Sequence, residues 1–169
     1  MATRSGSSVR GEYYEALLEF LRVAETIWEA SRLFFGRWDL SPSQFNVLNV
    51  LRERAKGMSQ VELSRALITH RSNVTGLVDR LEKRGLVARR EGEGDRRAYC
   101  VVLTPDGRRL MEEILPGYHA AVEALWIGIS PHQAKALVRQ LKPVGERARQ
   151  AAQARSRSNG GSSTGHPSV

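Results

Sequence analysis

The sequence predicts a mainly α-helical fold with one small β-hairpin. Apolar residues recur at three- and four-residue steps through most of residues 11–152, which is the period of a helix with one buried face. The period changes to two around 86–90 and 99–103, which predicts two short strands. The chain has 169 residues, of which 41% are hydrophobic, enough for one domain with a real core. No apolar run approaches the length that spans a bilayer, so we expect no membrane segment.

Both ends of the chain differ in composition from the rest. Residues 1–10 are rich in Ser, Gly and Arg, and residues 153–169 are rich in Gly and Ser. Neither segment can bury enough apolar surface to offset the entropy lost on ordering, so both are predicted to be disordered tails. The N-terminus lacks the apolar stretch of a secretory signal, and we therefore expect a cytoplasmic protein.

Local start and stop signals divide the region between the tails into helices. The first helix is predicted over roughly 11–37. The run 41–44, Ser-Pro-Ser-Gln, supplies the capping box that begins the second helix, and Gly57 ends it. A second capping box, from Ser59 to Glu62, begins a short third helix that reaches residue 67.

The fourth helix is predicted over about 70–84, with Gly85 as its stop signal. Its buried face is formed by Val74, Leu77, Val78 and Leu81. The strands 86–90 and 99–103 follow it and form the hairpin. Thr104-Pro105 begins a fifth helix, and a third capping box, from Ser130 to Gln133, begins the last one. Pro116 is expected to kink or break the first of these two.

Helices three and four, joined by a short turn, form a predicted helix-turn-helix, whose second helix fits the major groove of duplex DNA. The polar face of helix four carries five candidate DNA contacts: Arg71, Ser72, Asn73, Thr75 and Arg80. Arg can pair with the guanine edge, Asn with the adenine edge, and the Thr methyl group with the thymine methyl group. The alternative is the solvated face of an ordinary amphipathic helix.

The hairpin tip over 91–97 is charged and contains glycines, with Arg96 and Arg97 side by side. Such a tip can enter a narrow minor groove, where negative potential is concentrated. The alternative is a charged turn that keeps the hairpin soluble. Because the hairpin directly follows a helix-turn-helix, the first interpretation is favoured, and residues 41–103 are predicted to form a winged helix-turn-helix DNA-binding domain.

Four segments of the sequence carry a resemblance to a known family. The run 73–87, NVTGLVDRLEKRGLV, resembles the recognition helix and following strand of the MarR family. Residues 95–97, Asp-Arg-Arg, and 103–107, Leu-Thr-Pro-Asp-Gly, resemble that family's wing signature and the start of its fifth helix. Residues 40–45 resemble its entry into the second helix. The resemblance covers about residues 11–150, in the family's order.

The resemblance implies a homodimer that binds a pseudo-palindromic duplex DNA operator. Residues 11–40 and 104–152 would form the helical dimerisation region. The fourth helix would lie in the major groove and the wing 91–97 in the minor groove. The resemblance further implies a repressor that is released from DNA by a small effector or an oxidant.

Residue roles also follow from the resemblance. Arg71, Ser72, Asn73 and Thr75 become base or phosphate contacts, and Arg97 becomes the minor-groove contact. Arg96 is a second groove or phosphate contact, and Asp95 orients Arg97, since a carboxylate beside phosphates is repelled. Ser59 and Gln60, at a helix N-terminus, are candidate phosphate contacts.

The aromatic residues of the dimer-type helices allow two interpretations. Packing in the core or the dimer interface is one. The other is a pocket for an aromatic or phenolic effector, formed by Trp28, Phe35, Trp38 and His119. The single cysteine, Cys100, lies in a wing strand, whereas oxidant-sensing relatives carry a cysteine in the first helix. We therefore expect Cys100 to be structural.

The sequence argues against an enzyme. It contains no nucleophile elbow, no Gly-rich phosphate loop and no H-E-x-x-H metal spacing, so we expect no cofactor and no metal. The net charge of +8 favours an anionic partner. Two alternative functions stay open: a winged-helix module for protein contacts, and a ligand-independent DNA-organising protein.

Overall fold

The computed structural model describes the backbone of residues 9–67, 74–92 and 95–159, and the side chains of residues 11–67, 74–91 and 99–155. Within these ranges the fold is mainly α-helical with a small antiparallel sheet, as predicted. In chain order the elements are α1 (Val9–Phe35), a 3-10 turn (Gly36–Trp38), α2 (Pro42–Arg52), β1 (Met58–Ser59), α3 (Gln60–Ala66), α4 (Val74–Lys83), β2 (Val87–Gly92), β3 (Asp95–Leu103), α5 (Pro105–Leu125) and α6 (Pro131–Asn159).

The sheet has three strands in the order β1-β3-β2, one more than the predicted hairpin. Met58 pairs with Val101, and Ser59 pairs with Cys100. The extra strand forms because Ser59 caps α3 in an extended conformation, with φ −64° and ψ 157°, which the cap requires and which also suits a strand edge.

Gly57 does not end α2 as predicted, because that helix already stops at Arg52. Gly57 instead has a φ of +81° and lies against β3, where an added Cβ would stand 2.6 Å from the carbonyl oxygen of Val101. Glycine is required here both for the left-handed backbone and for the close approach of two chain segments. Its role is therefore to admit β1 to the sheet.

All three predicted capping boxes are present. At α2, the Gln44 backbone N–H donates to the Ser41 Oγ at 3.2 Å, and the Ser41 backbone N–H donates to the Gln44 Oε1 at 2.8 Å. The equivalent pairs are formed by Ser59 with Glu62 and by Ser130 with Gln133. These bonds satisfy helix N-terminal N–H groups that have no partner within the helix.

The core is formed where α2, α3, α4 and α5 meet the sheet. The predicted stripe of α4 is buried, and its members Val74, Leu77, Val78 and Leu81 are at most 3% exposed. They pack in a core that also contains Leu48, Leu51, Leu63, Val101, Met111 and Ile114. Burial of this stripe leaves the opposite, polar side of α4 exposed.

Three further features of the helices differ from prediction. The end of the first helix, Gly36–Trp38, is a 3-10 turn rather than α-helix. Helix α5 is not broken at Pro116, and Glu112, whose carbonyl loses its partner there, is exposed to water. Helix α6 continues to Asn159, into the segment predicted to be disordered, because residues 148–155 are all Ala, Gln or Arg, which favour helix.

The chain divides into two compact units, residues 1–115 and 116–169. Within the second unit, large apolar side chains are exposed at the end of α5 and on α6: Leu125, Trp126, Ile127, Ile129, Leu137, Val138 and Val144. Within the first unit, α1 exposes a similar set: Tyr13, Tyr14, Leu17, Phe20, Leu21, Val23, Ile27, Trp28 and Leu33. Across the described residues, no helix has the length and apolar character needed to cross a membrane.

Candidate nucleic-acid interface

The helix-turn-helix is formed by α3 and α4, and a hydrogen bond joins their first turns. The Thr75 hydroxyl donates to the Gln60 Oε1 at 3.2 Å. Gln60 begins α3, and Thr75 is the second residue of α4. The structure therefore brings together one predicted phosphate contact and one predicted base contact, and Thr75 is exposed.

Ser59, a predicted phosphate contact, is also the N-cap residue of α3. Its hydroxyl accepts from the Glu62 backbone N–H at 3.3 Å and donates to the Glu62 Oε2 at 2.8 Å. Hydrogen bonds from the Ser59 N–H and hydroxyl lower the pKa of Glu62 below its ordinary value. The hydroxyl hydrogen of Ser59 is therefore already used within α3.

Arg80 is exposed but lies apart from the Gln60–Thr75 pair. On α4 it flanks the opposite side of the buried stripe, and it lines a cavity together with Trp28 and Arg32 of α1. The structure thus does not group Arg80 with Thr75. Arg71, Ser72 and Asn73 lie outside the described residues, as do the side chains of Asp95, Arg96 and Arg97, and their roles stay predictions.

Arg89 attaches the wing to α4 and is a residue that the sequence did not predict as functional. The Arg89 guanidinium on β2 donates to the Asp79 Oδ1 at 2.5 Å and also to the Glu82 carboxylate. The Arg89 backbone N–H donates to the Glu82 Oε1 at 2.9 Å. The hydrogen bond to Asp79 and the attraction of Glu82 raise the pKa of Arg89 against the effect of burial. The sequence does contain a signal for this clamp: two carboxylates lie on one turn of α4, and an arginine follows in the next strand.

A second arginine, Arg84, follows the last residue of α4 and connects this C-terminal end to the junction of α1 and α2. Arg84 donates to the carbonyl oxygen of Trp38 at 2.9 Å and to that of Asp39 at 2.5 Å. The Trp38 Nε1–H in turn donates to the Glu113 Oε1 of α5 at 2.7 Å. These bonds hold the C-terminal end of α4 against the segment that begins α2.

Next to this junction lies a cavity of about 540 Å³. Its walls come from α1 (Trp28 and Arg32), the junction (Gly36, Asp39 and Leu40), the first turn of α2 (residues 41–44) and α4 (Leu77 and Arg80). An aromatic ring, two cations and one carboxylate, that of Asp39, therefore line one space beside a helix N-terminus, and the cations are in excess. Such a set suits an aromatic molecule that carries an anionic group.

Of the four residues predicted to line an effector pocket, Trp28 lines this cavity. Phe35 does not, because it is 2% exposed and stacks on Phe45 with 4.1 Å between ring centroids. Trp38 is used in the bond to Glu113. His119 belongs to the second unit, where its ring lies 6.2 Å from that of Tyr118.

Two further sequence expectations concern reactive groups. Cys100 is half-buried on β3, where it pairs with Ser59 on one side and Arg90 on the other. In the part of the chain that the structure describes, no group of three or more His, Cys, Asp or Glu residues is placed to hold a metal ion.

Comparison with known proteins finds similarity to one protein family and to several transcriptional regulators. The sequence profile of the MarR family matches residues 38–98. The transcriptional repressor MprA of Escherichia coli strain K12 is 44% identical over 69 residues, which are 41% of this chain and 39% of MprA. The chain thus spans about two fifths of the length of this relative.

Solved structures are similar over most of the chain. Bordetella bronchiseptica BpsR, studied for the regulation of its DNA binding by 6-hydroxynicotinic acid, is 28% identical, with a TM-score of 0.67 over 86% of this chain and 98% of BpsR. Rhodococcus jostii RHA1 CouR bound to p-coumaroyl-CoA is 29% identical, with a TM-score of 0.68 over 75% of this chain and 90% of CouR. The similarity therefore extends well beyond the helix-turn-helix.

Proposed function

Because the chain belongs to the MarR family of transcriptional regulators, we propose that it is a repressor that binds a duplex DNA operator as a homodimer and is released by a small effector. Helix α4 reads base edges in the major groove, and the wing enters the adjacent minor groove. The proposal involves no catalytic step. Because its partner is the chromosome, it implies a cytoplasmic location.

The observation that carries this proposal is the mounting of the wing on α4. The Arg89 clamp ties β2 to Asp79 and Glu82, so the wing has a set position relative to the helix that reads DNA. The Gln60–Thr75 bond orients the first turns of α3 and α4 in the same way. A protein-contact module needs neither feature beside a polar, exposed helix face.

The two elements have different tasks in this proposal. Asn73, with Arg71, Ser72 and Thr75, reads sequence, whereas Arg97, with Arg96 beside it, reads groove width and charge. Asp95 holds the Arg97 guanidinium in position, and Gln60 contacts phosphate. Ser59 serves mainly as the cap of α3, since its hydroxyl already donates to Glu62.

The test begins with an operator selected from a random duplex library. Asn73→Ala is expected to cost about 1–3 kcal/mol on that operator and less on random duplex, because a bidentate base contact is lost. Arg97→Ala is expected to lose most where the flank is A·T-rich, and replacement of that flank by G·C shrinks the loss. Equal losses on all sequences would contradict the division of tasks and favour the DNA-organising alternative.

The cavity beside α4 is the proposed effector site. Trp28 offers a ring for stacking, and Arg32 and Arg80 offer charge to a carboxylate or phenolate. The chemistry of two molecules named with similar structures supports this site: 6-hydroxynicotinic acid, which regulates DNA binding by BpsR, is an aromatic acid, and p-coumaroyl-CoA, bound to CouR, carries a phenol. Leu77 and Arg80 belong to α4, so a ligand in the cavity touches the helix that reads DNA and can bias its position.

We propose 6-hydroxynicotinic acid as the first probe, with its neutral amide as the matched control. The acid is expected to bind and to lower operator affinity, and the amide to bind at least about tenfold more weakly, because it lacks the charge that Arg32 recognises. Arg32→Gln should remove the difference between the two probes. Equal binding of both probes to the wild type and to Arg32→Gln would refute this site.

A homodimer is proposed from the apolar surface that α1, α5 and α6 expose. The large exposed side chains include Tyr13 and Leu33 of α1, exposed by 74% and 73%, and Ile127 of the turn between α5 and α6, exposed by 83%. Such a surface is typical of an obligate interface, which would bury well over about 2,000 Å². Light scattering at micromolar concentration is expected to give a dimer, and a monomer would refute the proposal.

A further inference from the structure

The exposed face of α1 carries an acidic stripe. Charged residues follow one another at three- and four-residue steps, which places them along one side of the helix. The stripe contains five glutamates and two arginines, and all seven are exposed: Glu12, Glu15, Glu19, Arg22, Glu25, Glu29 and Arg32. The two arginines form ion pairs with Glu19 and Glu29. The other three glutamates form no ion pair within the described part of the chain.

Helix α6 carries the opposite pattern, a basic stripe. Lys135, Arg139, Lys142 and Arg149 are exposed and recur at steps of four, three and seven residues, so they share one side of the helix. Glu146 is the single acidic residue between them. None of the four cations forms an ion pair with any described residue. The stripe is about 21 Å long, and the acidic stripe from Glu12 to Glu29 is about 26 Å long, at 1.5 Å per residue.

Both stripes border apolar surface that only a protein partner can cover. On α6, Lys135 and Arg139 form the rim of a shallow apolar groove lined by Trp126, Ala134 and Val138. On α1, the acidic stripe runs beside the exposed apolar set, of which Leu21 is 54% exposed. Duplex DNA would leave such apolar surface uncovered, and an acidic stripe would repel it.

We propose that the acidic stripe of α1 pairs with the basic stripe of α6 from a second copy of this chain, and that this pairing selects the partner and sets the register of the dimer. The inference rests on the proposed homodimer and specifies its interface. Apolar burial supplies affinity without direction, whereas charges that flank an apolar seam decide which helices pair and in which register.

Two full-length charge-reversal variants test the pairing. The basic-α1 variant carries Glu12→Lys, Glu15→Lys and Glu25→Lys, which break no ion pair within the chain. The acidic-α6 variant carries Lys135→Glu, Arg139→Glu and Lys142→Glu. Each variant alone repels itself at both contacts of a dimer, so its dimerisation is expected to weaken on the order of 10- to 100-fold. The control Arg147→Glu lies off the stripe on α6 and should dimerise like the wild type.

Mixing the two variants decides the question, because the mixed dimer has complementary stripes at both contacts. With different fluorophores on the two variants, energy transfer should show mixed dimers within about tenfold of wild-type affinity, while circular dichroism confirms that both are folded. Wild-type dimerisation by either variant alone would overturn the pairing, and so would weakened variants that gain nothing from mixing. A monomeric wild type would instead refute the proposed homodimer itself.

Discussion

The Arg89 clamp is expected to matter more for DNA binding than for stability. Arg89→Gln removes the guanidinium and with it the side-chain hydrogen bonds to Asp79 and Glu82, while the hydrogen bond from the backbone N–H of residue 89 to Glu82 is retained. The side chains of Arg89, Asp79 and Glu82 are 25%, 49% and 36% exposed, so solvent weakens both ion pairs. We expect a loss of about 1–2 kcal/mol in the free energy of unfolding. The neighbouring Arg90→Gln, whose arginine is exposed, should change it by less than about 0.5 kcal/mol.

Operator affinity is expected to fall about tenfold in Arg89→Gln, because the wing loses its attachment to α4 and must be ordered on DNA. A double-mutant cycle with Arg97→Ala, measured by fluorescence anisotropy at fixed salt, tests this cause. If the clamp acts through the wing, the two losses will not add, because the second change removes a contact that is already impaired. Fully additive losses, or an unchanged affinity despite lower stability, would refute the reasoning.

Three further predictions concern the remaining features. Gly57→Ala should lower the free energy of unfolding, measured by thermal unfolding, by about 2–4 kcal/mol, because the added Cβ would collide with Val101. Gly85 also has a positive φ, of +69°, but has open space around it, so Gly85→Ala should lower the free energy of unfolding by only about 1–2 kcal/mol. A similar loss in both would contradict the packing role of Gly57. The lowered pKa of Glu62 means that this carboxylate stabilises the fold above its ordinary pKa of 4.5 and loses that effect as pH falls through the lowered value. Glu62→Gln should therefore show a flatter decline of melting temperature from about pH 5 to 3, and an identical decline would contradict the assignment. Cys100→Ser should leave operator affinity and its response to peroxide unchanged; loss of a wild-type peroxide response in this variant would show that Cys100 is a sensor.

Features that depend on neighbouring residues were predictable from the sequence. The three capping boxes join residues three apart, and the buried stripe of α4 joins residues three and four apart. Such patterns follow from the geometry of one helix turn and need no knowledge of the rest of the chain. The order of the helices and of the two hairpin strands, and with it the winged arrangement, could therefore be predicted, whereas β1, which pairs Met58 with the distant Val101, could not.

Composition misled where it was judged over too long a segment. Residues 153–169 are rich in Gly and Ser, yet their first part continues the Ala-, Gln- and Arg-rich run of α6 and is helical as far as Asn159. Pro116 was expected to kink or break α5, and a break does not occur, because one missing hydrogen bond on an exposed side of a long helix is tolerated. In both cases the neighbouring turns of helix outweighed the local signal.

Tertiary structure alone decided which distant side chains meet. The sequence allowed two interpretations of Phe35 and Trp38, packing or an effector pocket, and the structure buries Phe35 against Phe45 and directs Trp38 to Glu113. The cavity instead gains Arg32 and Arg80 from two helices far apart in sequence. Helical period predicts which face of each helix is apolar, but not which charged side chains two helices bring to a shared space. That depends on how the helices pack around the core, since their relative position is set by burial of apolar surface rather than by any local hydrogen bond.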